Sequence, residues 1–89
     1  MKKSFLVETW MMKDLGLSGN QLIMYAYLHD VTGKGSNAFT GGYTELSGAL
    51  TMTVPTVYNI IGKLRERGYI EPEGGMEEIR LSDRWLSLK

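Results

Sequence analysis

A mainly α fold, three core helices followed by a small β-hairpin, is what this sequence predicts. Three observations predict it. Residues 19–30 are an apolar-centred run behind Ser18, a residue type that caps helix starts. Residues 44–67 hold two further helix-start signals, Thr44 and Thr53, on either side of a short joint. Residues 69–81 hold two runs around Gly74-Gly75, the pattern of a hairpin.

Composition narrows the class. At 89 residues the chain is one small domain, spanning 1–89, either whole or as the N-terminal part of a longer protein. A hydrophobic share of 43% supports a core and excludes wholesale disorder. The absence of cysteine excludes disulfides and thiolate metal sites, and fits a reducing cytoplasm. The longest apolar run, residues 22–28, falls well short of the roughly 18 residues a membrane helix needs. Lys2 and Lys3 do not open a signal peptide, because Glu8 and Asp14 break the apolar stretch behind them. Net charge is zero, so any surface for phosphates has to come from asymmetric placement of charge.

The elements follow in order. Residues 4–9 read as extended, Trp10 to Met12 follow, and residues 14–16 form a turn. Ser18 and Gln21 make an S-x-x-Q capping box for a helix over 19–30. The middle of that helix is apolar all round, so it is central, or one face is covered by another chain. Residues 33–42 are a glycine-punctuated loop with a brief strand at 38–40. Thr44 caps a short helix over 45–50, and Thr51 to Thr53 connect it to the next. Thr53 caps that longer helix, with Pro55 in its first turn, where a missing N–H costs little. Val57, Ile60, Ile61 and Leu64 give it one apolar stripe, and Gly68 ends it. The hairpin comes next, and Ser82 or Asp83 caps a last short helix carrying Trp85, Leu86 and Leu88.

The stretch 44–81 is the informative one. Two helices joined by a tight turn need a small residue at the crossing, for which Ser47 and Ala49 are candidates. They also need an apolar residue before the turn (Leu50), an apolar plug within it (Met52) and an apolar inner face on the second helix. All these positions are filled. Residues 44–50, 53–58 and 64–70 together resemble the winged helix-turn-helix module of bacterial regulators. They are similar to the multiple-antibiotic-resistance repressors and to winged-helix modules of phage and plasmid replication proteins. The resemblance covers about residues 18–81 and implies a three-helix core plus a wing. One position departs from the pattern. Thr51 stands where glycine is common, and a β-branched residue tolerates φ > 0 poorly, so a longer or different turn is expected.

The resemblance implies double-stranded DNA as the partner, in transcription regulation or in phage- or plasmid-type replication; no nucleophile–base pair, metal cluster or phosphate cradle can be assembled from the residues, so neither catalysis nor a cofactor is expected. The second helix would enter the major groove. Its outward residues would be Thr53, Pro55, Thr56, Tyr58, Asn59, Gly62 and Lys63, with Arg65 and Arg67 towards flanking backbone. An Asn amide can pair with adenine, and Lys63 suits a phosphate. The wing, however, carries Glu71, Glu73, Glu77 and Glu78 against Arg80 alone. Either it points away from DNA, or the module binds protein instead.

Other features are weighed against plainer explanations. Trp10, Met11, Met24, Tyr25, Tyr27 and Trp85 are too many large apolar groups for so small a chain to bury easily. They are expected at an interface with a second copy or another protein. Core packing is the alternative. His29 is the only histidine, and no second imidazole or thiolate accompanies it, so no metal site is expected. Gly33-Lys34-Gly35-Ser36 shares letters with a phosphate loop. It lacks the upstream glycine, has Gly after Lys34 and follows a helix, so the likeness is rejected.

Overall fold

The computed structural model describes residues 4–75 and 77–86. Met76 and Leu88, assigned above to the hairpin and the last helix, lie outside the described residues. Among the described residues there are five helical segments: α1 (Thr9–Lys13), α2 (Gly19–Val31), α3 (Gly42–Leu50), α4 (Val54–Glu66) and α5 (Asp83–Leu86). The first overlaps the extended reading of 4–9 at Thr9 alone and places Trp10 to Met12 on a helical turn that buries Trp10 and Met11.

α2 is the central helix, as its all-round apolar middle requires. Residues 24–29 are buried in succession, and α2 packs on α1 and α4. Ser18 holds the extended N-cap conformation, but its side chain makes no cap bond. The expected capping box is not formed, because the Gln21 Oε1 accepts from the Arg67 Nη1 at 3.0 Å instead. The C-terminal end of α2 is closed by its own loop. Thr32 Oγ1 donates to the Leu28 carbonyl (2.6 Å) and accepts from the Gly35 N–H (3.1 Å), while the Lys34 N–H reaches the His29 carbonyl (2.8 Å). These bonds satisfy orphan groups that a helix end otherwise leaves bare.

α3 starts earlier than Thr44. Gly41 is its N-cap, and Gly42, at φ +79, turns the chain into the helix. α3 and α4 pack against each other across a tight joint. There Thr51 takes the left-handed conformation, φ 56 and ψ 45, so the joint keeps the short geometry despite the β-branched residue. Two bonds enforce it. The Met52 N–H donates to the Ser47 carbonyl at 3.1 Å, and the Ser47 hydroxyl donates to the Met52 carbonyl. Ser47 thus staples the turn rather than merely leaving space for a crossing.

α4 follows the sequence closely. Thr53 caps it by accepting from the Thr56 N–H at 3.3 Å, Pro55 lies in its first turn, and Val57, Ile60, Ile61 and Leu64 are buried. Beyond Gly68 (φ +82) the expected β-hairpin wing is not built: among the described residues there is no strand. Two isolated antiparallel bridges, Ile70 with Leu81 and Phe39 with Ile79, take its place. The reason is local. Glu71 donates to the Arg80 carbonyl at 2.8 Å, but its own carbonyl accepts from Arg65 Nε at 3.0 Å instead of continuing the ladder. Glu77 and Glu78 both donate to the Gly74 carbonyl, which curls the tip into turns. The strand expected at 38–40 is likewise only the Phe39 bridge.

Candidate nucleic-acid interface

α4 buries one face and leaves the other bare. Thr53, Pro55, Tyr58, Asn59 and Lys63 are exposed, and Thr56 is half-buried. The cap orders the first turn further, because Thr53 Oγ1 donates to Thr56 Oγ1 at 2.9 Å. Tyr58 stands 62% exposed, its ring edge-on to that of Tyr43 with centroids 6.0 Å apart. Between them opens a groove of about 360 Å³, lined by Tyr43, Tyr58, Asn59, Gly62, Lys63, Arg65 and Glu66. The sequence-predicted residues Tyr58, Asn59 and Lys63 therefore share one surface. Tyr43, which sequence reasoning did not assign there, supports it from α3.

A second groove, about 330 Å³, lies at the start of α4. Residues 40–44, Val54 and Glu77 line it. Val54 was missed by sequence reasoning, yet it is 42% exposed. Its helical position, three residues before buried Val57, argues for burial. Glu77 brings a carboxylate beside this end of α4.

The basic residues divide sharply. Arg67, expected to face DNA backbone, is exposed, but its guanidinium is hydrogen-bonded within the chain. Its guanidinium donates to Gln21 Oε1 and to the carbonyls of Leu15 (3.0 Å) and Gly16 (3.5 Å), and lies over the Tyr69 ring at 5.0 Å. Arg65 is committed as well, to the Glu71 carbonyl (3.0 Å), the Gly75 carbonyl (2.7 Å) and the Tyr43 hydroxyl (3.5 Å). Lys63 takes part in neither set and is exposed. Arg65 thus ties the acidic segment after α4 back onto α4.

The expected interface residues are corrected. Trp10, Met11, Met24, Tyr25 and Tyr27 belong to the core of the single chain, each at 8% exposure or less. Trp85 is half-buried, its indole N–H on the Gly68 carbonyl at 2.7 Å. They fit because the rings pack edge-on: Trp10 on Tyr25 and His29, Tyr25 on Tyr69, Tyr69 on Trp85. Burial, and to a lesser degree Tyr69, pushes the Tyr25 hydroxyl well above its ordinary pKa, so it stays neutral. His29 is buried with these rings, its Nδ1 3.9 Å from the Glu8 carboxylate. Besides Val54 and Tyr58 on α4, the exposed large apolar groups among the described residues are Leu6, Val7, Met12 and Ile23. Among the described residues, no helix is long and apolar enough to cross a membrane.

Comparison with known proteins gives one match. The model of a helix-turn-helix domain family matches residues 15–70, more than half of the chain. No curated protein and no solved structure matches. The chain belongs to the helix-turn-helix domain family.

Proposed function

We propose that this helix-turn-helix domain binds double-stranded DNA in the cytoplasm, with the first turns of α4 in the major groove and no catalytic step. The observation that carries the reading is the bare face of α4. It sets Thr53, Thr56, Tyr58, Asn59 and Lys63 opposite a fully buried stripe, at the helix end that reaches base edges in such modules. We assign the role to transcription regulation or to phage- or plasmid-type replication, on the resemblance of residues 44–70. The test is fluorescence anisotropy of the chain against a random-sequence duplex over a series of salt concentrations, beside Lys63→Glu. Binding that weakens with salt and collapses in the variant supports the reading. No binding at the lowest salt by a folded chain overturns it.

A second reading rests on Leu6, Val7, Met12 and Ile23, which are exposed on the N-terminal segment, α1 and α2. These groups favour pairing with a second copy, which would present two α4 faces to one duplex. Sedimentation of the chain as a dimer, and as a monomer once Met12→Glu and Ile23→Glu are introduced, is the expected result. A monomer at all concentrations contradicts pairing without touching the DNA reading.

A further inference from the structure

The bare face of α4 is notable for what it lacks. Guanine shows two acceptors in the major groove and is read by paired donors, most often those of arginine. Both arginines of this region are spent within the chain, Arg65 on the Glu71 and Gly75 carbonyls and Arg67 on Gln21, Leu15 and Gly16. Lys63 stands one turn beyond Asn59, further from the N-terminal end of α4, where a phosphate is the natural partner.

What the face offers instead is exposed carbon and one amide. Val54 is 42% exposed and Tyr58 is 62% exposed, on successive turns, and Pro55 is exposed between them. Exposed apolar side chains at the tip of a groove-entering helix have one good target there, the C5-methyl group of thymine. Asn59 follows on the same surface. Its amide carries one donor and one acceptor, which match adenine N7 and N6.

We infer that the α4 face selects A·T base pairs, with Val54, Pro55 and Tyr58 against thymine methyl groups and Asn59 on adenine. This inference rests on the reading that α4 enters the major groove, and its test separates the two.

The experiment compares four duplexes of equal length by anisotropy at one salt concentration. They are mixed-sequence A·T, mixed-sequence G·C, the A·T duplex with uracil for thymine, and the A·T duplex with 7-deaza-adenine for adenine. The A·T duplex binds tighter than G·C by about tenfold or more. Uracil, which removes only the methyl group, weakens binding several-fold. The deaza base, which removes N7, weakens the wild-type chain but not Asn59→Ala. Equal affinity for A·T and G·C, with Lys63→Glu still abolishing binding, overturns the inference and leaves the α4 reading standing. An A·T preference that survives both base replacements places recognition in the minor groove and overturns the inference. No binding to any duplex by the folded chain removes the reading beneath it.

Discussion

Thr51 pays for the joint between α3 and α4 with its own backbone. An L-residue with a branched Cβ at φ 56 loses about 1 to 2 kcal/mol against a relaxed conformation, whereas glycine loses none of this. Thr51→Gly is therefore expected to raise stability by about 1 kcal/mol in urea unfolding, the added freedom of the unfolded chain offsetting part of the gain. An unchanged or lower midpoint would mean that the threonine side chain makes a contact worth as much as the strain. Arg67 and Lys63 make a second contrast at this scale. Arg67→Ala removes the guanidinium bonds to Gln21, Leu15 and Gly16, and is expected to cost about 1 to 2 kcal/mol of stability. Its effect on the DNA affinity of the folded fraction should be small. Lys63→Ala should behave in the opposite way, losing affinity and keeping stability. The sequence could not separate these residues, because both are basic positions near the end of one amphipathic helix. The difference lies in a partner, the Leu15–Gly16 turn, that is distant in the chain.

The segment between Gly68 and α5 was legible as two runs about a turn, but not as what it becomes. The Gly74-Gly75 turn and the apolar anchors Ile70, Ile79 and Leu81 are where the pattern put them. The ladder is missing because Arg65 takes the Glu71 carbonyl and the tip curls onto the Gly74 carbonyl. Neither effect has a hydrophobic periodicity that reveals it. The segment's acidity has a consequence near α4. Glu77 lines the groove beside Val54, so its carboxylate opposes a phosphate brought to that end of the helix. Glu77→Gln is expected to raise duplex affinity by about two- to tenfold at low salt, with a gain that shrinks as salt is added. Unchanged affinity at every salt concentration would show that this end of α4 stays away from the phosphates. The helices themselves were easier to read. Thr53, Pro55 and the stripe from Val57 to Leu64 are local signals, and α4 obeys each of them. α3 was placed two or more residues late because the glycines before it read as loop, although Gly42 is what admits the helix.

Across the whole molecule, a core of aromatic rings explains both the success and the chief error of the sequence reading. The apolar middle of α2 correctly marked a central helix. The large side chains around it are many for so small a chain, and the edge-on series from Trp10 through Tyr25 and Tyr69 to Trp85 packs them within it. Volume can be counted from a sequence, but ring geometry cannot. The same packing leaves the outer face of α4 as the surface that the site residues share, and it limits the charge available there. With Arg65 and Arg67 committed, the salt slope of duplex binding should be shallow, about −1 to −3 per chain, against the steep slopes of basic DNA-binding surfaces.

Whether this face of α4 meets DNA is read from backbone amide shifts in an isotope-labelled chain titrated with duplex. Shifts are expected on residues 53–63, with the α2 core and the Leu15–Gly16 turn unmoved. Shifts confined to residues 6–23, or none at all at saturating duplex, would contradict that contact.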